Sequence, residues 1–323
     1  MLMEKAMQLL EELPCLGDVH LHLLRGQGLE ALAHELMAGY RVGLGVVLEV
    51  RPPFGRIAGL PQSLVEKAWR LGEPVLKRIA PWLLEHYGGP GRMHAETLVF
   101  LSRLGPVPRS GHSGPGARLL VYADPGLGPG AGRRAAEALS EGALGFKVIS
   151  TIHMARLDDP SVGEVFEEAS ARGVPVLVHA GCDPGIWELP AFCSLGNPLR
   201  LEKWLQQYPD VPVIIAHAGG YSAAAPGVFT EEAVALARRH RQVYLDTSAV
   251  PLAVLEVVAK ALPSEKLLNG SDYPVVEEDD PGKAAARTVA ALLLAGRGRR
   301  DVEAVMYRNL EELLGEECRP APV

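Results

Sequence analysis

Eight short apolar runs set the rhythm of this 323-residue chain, each closed by a turn and most followed by a stretch of helical period. They are "LGDVHLH" from residue 16, "GLGVVLEV" near 43, "ARLLVYAD" near 117 and "ALGFKVIS" near 143, then "VPVLVHAG" near 174, "VPVIIAHAGG" near 211, "QVYLDTS" near 242 and "KLLNGSDYP" near 266. Segments such as "GRRAAEALSEG", "VGEVFEEASARG" and "TEEAVALARRH" lie between them and repeat their apolar positions near every 3.6 residues. Strands that alternate with helices imply a parallel sheet. Eight such units predict an α/β fold closed into a (β/α)₈ TIM barrel. An open doubly wound sheet would carry a Gly-rich phosphate loop after its first strand, and "GDVHLHLLRG" is not one.

The rhythm breaks once, over residues 51–116. This stretch holds helical segments such as "PQSLVEKAWRLGEPVLKRIAPWLLEHY" and ends in the Gly/Pro/Ser-rich "PVPRSGHSGPG". Residues 1–323 therefore read as a single barrel domain with a helical insertion after the second strand. A long loop following a barrel strand projects from the catalytic mouth, which makes the insertion a candidate lid or cap. Packing along the side of the barrel is the competing expectation.

Composition narrows the function classes. Apolar residues make up 48% of the chain, enough for a large core, and the formal charge of −7 offers no basic face for nucleic acid. No apolar run approaches the roughly 20 residues that a membrane helix needs. The N-terminal "MLMEKAMQLLEELP" has a helical pattern with acidic residues, unlike a secretory leader. Cys15, Cys182, Cys193 and Cys318 show no paired spacing, and the expectation is four reduced thiols in a soluble cytoplasmic protein.

Candidate chemistry sits at the ends of the apolar runs. Side chains alternate across a strand, so Asp18, His20 and His22 share one face while Val19 and Leu21 share the other. The apolar face can pack on helices, which leaves the polar face pointing into the barrel. Two imidazoles held two residues apart on a rigid strand can bind one metal ion. "VPVLVHAG" likewise places His179 after apolar residues, "VPVIIAHAGG" places His217, "LLNGSDYP" places Asp272, and "LGFKVIS" carries Lys147 on a buried strand. One buried polar residue is ordinary in any core. Five strands that each carry one toward the same mouth point to a metal site.

In that order these residues resemble the amidohydrolase superfamily of metal-dependent barrels. The phrases "GDVHLH", "VLVHAG", "IIAHAGG" and "NGSDYP" look most like its amidohydrolase-2 branch of hydrolases, lactonases and non-oxidative decarboxylases, and "YRNLEELLG" is similar to that branch's closing helix. The resemblance implies His20, His22, His179 and Asp272 as ligands of a divalent ion, with His217 as a second ligand or a substrate-orienting group. Lys147 stays open. In two-metal relatives the lysine of this strand is carboxylated and bridges the ions, whereas one-metal relatives need no ligand there. Zn²⁺ suits three imidazoles and a carboxylate, and Mn²⁺ or Fe²⁺ would fit as well. A homodimer would be ordinary for such a barrel.

The expected reaction is hydrolysis of an amide or ester bond, lactones included, in a small-molecule substrate, with Asp272 moving protons and His217 polarising the carbonyl. A non-oxidative decarboxylase is the alternative, with Arg25 and Arg51 as candidate holders of a carboxylate. A third reading is a barrel without activity that serves as a binding module. Asp18 is expected to buttress the histidine pair. His112, His153, Cys182 and Asp183 are weaker candidates near the pocket. His34, His86, His94 and His240 fall in helical stretches and read as structural or solvated, and the acidic run at 277–280 reads as a solvated turn.

Overall fold

The computed structural model describes residues 1–276 and 280–320. A leading helix α1 (Leu2–Glu11) precedes β1 (Leu16–Leu21), α2 (Leu29–Tyr40) and β2 (Val42–Leu48). The insertion then supplies α3 (Phe54–Ala58), α4 (Gln62–Ile79), α5 (Pro81–Tyr87) and α6 (Pro90–Arg103). The alternation resumes with β3 (Arg118–Ala123), α7 (Ala131–Ser140), β4 (Gly145–Val148), α8 (Pro160–Arg172) and β5 (Val176–Val178). Two short helices, α9 (Pro190–Cys193) and α10 (Glu202–Gln207), lead to β6 (Val213–Ile215), α11 (Thr230–Arg239), β7 (Val243–Asp246) and α12 (Leu252–Ala261). The chain ends with β8 (Leu267–Leu268), α13 (Pro281–Leu294), α14 (Arg299–Glu303) and α15 (Asn309–Leu314).

All eight expected strands form, parallel and in sequential order. The sheet's two edges meet through backbone hydrogen bonds: Val19 N–H donates to Asn269 O (3.0 Å), Asp272 N–H to His20 O (2.8 Å) and His22 N–H to Tyr273 O (2.8 Å). A (β/α)₈ barrel results, as the spacing predicts. Its apolar core is built mainly from Val, Leu, Ile and Ala of the strands and of the inner helix faces. The helix ends follow from local chemistry as well. Asp159 and Asp280 cap α8 and α13 through their side chains, and Gly173 closes α8 at φ 65°, where glycine carries no Cβ penalty.

The insertion has a core of its own. Ile57, Val65, Leu76, Leu83, Met93 and Leu101 cluster with Ile149, Ile152, Ile186 and Trp187 from the loops after β4 and β5. It therefore packs on loops at the carboxyl ends of the strands, where a barrel keeps its site.

The cysteines depart from expectation. Cys15 pairs with Cys318 and Cys182 with Cys193, their Cα atoms 6.2 and 4.5 Å apart, so none is free. The reason is tertiary. The segment after α15 returns beneath β1 and β2, so close that a Cβ on Gly43 would stand 2.0 Å from the carbonyl oxygen of Arg319. Residues 303 apart in sequence thus meet, and no spacing rule could have shown it. No described helix is long and apolar enough to cross a membrane.

Candidate metal centre

The strands deliver their polar residues to one place. His20, His22, Lys147, His179, His217 and Asp272 all line one cleft, and Asp183 and Tyr221 join them. His20 and Lys147 face inward from β1 and β4. His22 and His179 immediately follow β1 and β5, His217 lies two residues past β6 and Asp272 four past β8. His217 and Asp272 adopt left-handed φ values of 57° and 67°, which aspartate tolerates better than most residues and which store strain at the pocket rim.

The partners of the Nδ1 atoms assign a tautomer to each ring. His22 Nδ1 lies 3.2 Å from the carbonyl oxygen of Leu48, an acceptor, so Nδ1 donates and Nε2 carries the lone pair. His20 Nδ1 faces Asp246 Oδ2 at 2.8 Å and donates to it, which again leaves a lone pair on Nε2. His217 Nδ1 lies 2.9 Å from Ser248 Oγ, and that hydroxyl donates onward to Asp246 Oδ1 at 2.5 Å. With its Nδ1 donating, His217 accepts at Nε2 from His179 Nδ1, 3.2 Å away. His179 Nε2 is then a third lone pair, buried and with no hydrogen-bond partner. This assignment satisfies the Nδ1 contacts and leaves Nε2 of His20, His22 and His179 as the lone-pair nitrogens of the cleft.

Those lone pairs meet a carboxylate. Asp272 Oδ1 stands 3.0 Å from His22 Nε2 and 3.3 Å from His20 Nε2, and the ligand atoms of these three residues lie within 4.8 Å of one another. Burial, and next the charge of Lys147, hold His20 well below the usual imidazole range. The same two causes push His179 down to about 3, and burial with the neighbouring His20 and His179 does likewise to His217. Burial alone would raise Asp272, but His20, His22 and Lys147 outweigh it and keep the carboxyl below its ordinary value. Imidazole nitrogens and a carboxylate that converge in a buried space form a donor set suited to a cation. The residues present fit a divalent ion. His179 lines the same cleft but stands outside the tightest group of three.

Lys147 is fully buried, its Nζ 3.3 Å from His20 Nε2. Burial lowers it to about 8 against the pull of Asp272, Asp246 and Asp183. Asp183 carries a carboxyl that burial raises to about 7, although Thr151 donates to it, and its Oδ2 lies 3.3 Å from His179 Nε2. Asp18 bonds backbone and not imidazole, accepting from the amides of His20 (3.0 Å) and Ser271 (3.1 Å).

The carboxylate that orients the rings is Asp246, which the sequence reading passed over. It holds His20 through Nδ1, accepts the amide of His217 at 2.8 Å and accepts both the amide and the hydroxyl of Ser248. Oδ1 accepts three of these bonds and Oδ2 the one from His20, and Asp246 also lies in a second close group with His20 and His217. The signal was present, because "VYLD" ends in a polar residue after an apolar run just as the strands of His179 and His217 do. Tyr221, stacked on His217 at 4.5 Å, gave no such signal.

Other candidates fall away from the cleft. His112 turns back to the carbonyl of Pro115, and His153 is paired with Asp124 at 2.9 Å. Cys182 is bonded to Cys193. Arg51 is held by Glu49 at 2.7 Å, and Arg25 is exposed. His34 is exposed on α2, His86 and His240 pair with Glu96 and Glu202, and His94 bonds the carbonyl of Ile57. Of the acidic run, residues 277–279 lie outside the described residues, and Asp280 caps α13.

The amidohydrolase family model matches residues 110–315, nearly two thirds of the chain. Lys147, His179, His217 and Asp272 lie within that stretch, and the His20–His22 pair precedes it. Among solved structures, one described as amidohydrolase II, a structural genomics target, is 19% identical with a TM-score of 0.53, covering 93% of this chain and 100% of its own. A probable 2-pyrone-4,6-dicarboxylic acid hydrolase from Acinetobacter baumannii, with citric acid bound, is 13% identical with a TM-score of 0.52 over 94% of this chain and 100% of that one. A 2,6-dihydroxybenzoate decarboxylase from Rhizobium is 12% identical with a TM-score of 0.54 over 94% and 99%. At such identities the likeness speaks for the fold. No curated protein is significantly similar to the chain.

Proposed function

This chain belongs to the amidohydrolase family, and from that premise we propose that it is a metal-dependent hydrolase of amide or ester bonds, lactones included, in a small molecule. The observation that carries the reading is the convergence of three imidazole Nε2 lone pairs and the Asp272 carboxylate in one buried cleft. His20, His22, His179 and Asp272 would hold the ion, with Zn²⁺ preferred over Mn²⁺ or Fe²⁺. A divalent ion so held supplies Lewis acidity and water that deprotonates near neutral pH.

The residues supply the rest. Asp272 Oδ2 takes the proton of the attacking water and hands it to the leaving nitrogen or oxygen. His217 holds His179 through its Nε2, which makes it a positioning residue, and its ring also lines the cleft where a carbonyl would lie. Lys147 would lie beside a single ion or, if carboxylated, would offer a carboxylate ligand for a second. Its depressed pKa leaves a share of free amine near neutral pH, as carboxylation by carbon dioxide requires.

Hydrolysis is favoured over decarboxylation because no arginine is among the described residues that line the cleft, and Arg51 is occupied by Glu49. The test is to strip the protein, refill it with Zn²⁺ or Mn²⁺, and follow proton release from a panel of neutral amides, esters and lactones. Asp272→Asn should lower kcat by about 10²–10⁴. Carbon dioxide release from small acids with no hydrolysis anywhere in the panel would replace this reading with the decarboxylase one.

A further inference from the structure

The cleft is two-sided. Its floor and inner wall are the imidazoles and carboxyls with Lys147 and Tyr221, whereas the roof and rim are Val50, Phe100, Leu104, Ile149, Ile152 and Val275. Phe100 lies in the last turn of α6, and Leu104 is the extended residue that follows the helix. Ile149 and Ile152 follow β4 and are almost fully buried in the insertion's own apolar cluster. The roof is therefore anchored by packing and supplies neither a side-chain donor nor a positive charge.

Arg51 and Arg109 both end on Glu49, at 2.7 and 2.6 Å. Lys147 lies in the floor against His20. A substrate carboxylate directed at the roof, away from the floor and Tyr221, would meet apolar surface and lose its water with no partner there to replace it. We propose that this cleft selects a substrate whose reacting carbonyl carries a compact, uncharged, apolar group, with Phe100 and Leu104 setting the size limit. The proposal rests on the hydrolase reading for its reaction but not for its pocket.

Phe100 is also a partition. It lines a second, outer groove with His86, Tyr87, Glu96 and Arg103, so truncating it joins the two spaces. Phe100→Ala should shift the preferred acyl chain of neutral esters upward by several carbons, with kcat/KM for the longer ester raised about tenfold relative to the shortest. Leu104→Arg places a cation in the roof and should reverse the preference between neutral and carboxylated ligands.

The decisive measurement is binding, which needs no turnover. Calorimetry on the Zn²⁺-loaded protein compares butyrohydroxamic acid with succinic monohydroxamic acid, which has the same chain length but ends in a carboxylate. The neutral hydroxamate should bind at least tenfold more tightly, and Leu104→Arg should narrow or invert that ratio. Equal affinities, tighter binding of the carboxylated ligand, or binding of neither would overturn the proposal. Tight neutral binding without hydrolysis of any panel member would keep the pocket assignment and remove the hydrolase reading.

Discussion

Asp246→Asn removes one charge and almost no volume, so it isolates what the carboxylate does for the site. The new amide can keep its oxygen on the backbone amides of His217 and Ser248, which Asp246 Oδ1 accepts at 2.8 and 3.0 Å. Its NH₂ then faces His20 Nδ1, where Oδ2 stood at 2.8 Å. Two donors cannot share that contact. The imidazole escapes by moving its proton to Nε2, which takes one of the three lone pairs out of the cleft. A hydrogen bond to a charged group contributes about 1.5–3 kcal/mol. At about 1.4 kcal/mol per factor of ten, the loss becomes about 10- to 150-fold in metal affinity. That range matches the effect usual for groups that orient a ligating imidazole. The assay is competition for Zn²⁺ between stripped protein and a chromophoric chelator at pH 7.5, with circular dichroism to confirm folding. A folded variant that binds Zn²⁺ within threefold of the parent would refute the chain of hydrogen bonds from Asp246 to the lone pairs.

Asp18→Asn tests the buried carboxyl that burial lifts to about 7 against the Ser271 side chain and the amides of His20 and Ser271. The unfolded carboxyl titrates near 4, so the folded state holds a proton that the unfolded state lacks between about pH 4 and 7. Stability is therefore lost as pH rises through that window, on the order of 4 kcal/mol once complete. Urea unfolding of metal-free protein should show the asparagine variant gaining on the parent from pH 5 to 8.5, and parallel pH profiles would count against it. At Gly163 a methyl group would stand 2.3 Å from Trp204 Cη2, whose ring is fixed by an indole N–H bond to the carbonyl of Leu157. Gly163→Ala should destabilise the fold by about 1–3 kcal/mol in chemical denaturation, and a neutral result would show that the indole moves freely. Unreduced protein, denatured and titrated with a thiol reagent, should yield no free cysteine, whereas four equivalents would reject both pairings.

The period of the apolar positions is a local property, so the sequence alone determined the eight strands, their order and the helices between them. A strand's alternation is also local, which is why His20 and His22 could be placed on one inward face, and why His179, His217 and Asp272 stood out after apolar runs. What local pattern cannot carry is distance. Asp246 reads as an ordinary strand-end acid until closure of the barrel brings it to His20, 226 residues away, and gives it four hydrogen-bond partners. Cys15 and Cys318 are unrelated until the C-terminal segment crosses beneath β1 and β2. The role of Phe100 as a wall is set by the way α6 lies over the mouth, which depends on a second apolar cluster assembled from separate loops. Alternation and helical period repeat within a few residues and survive in one dimension. Buttressing, disulfide pairing and cavity shape are sums over contacts between remote segments, and only the packed chain decides them.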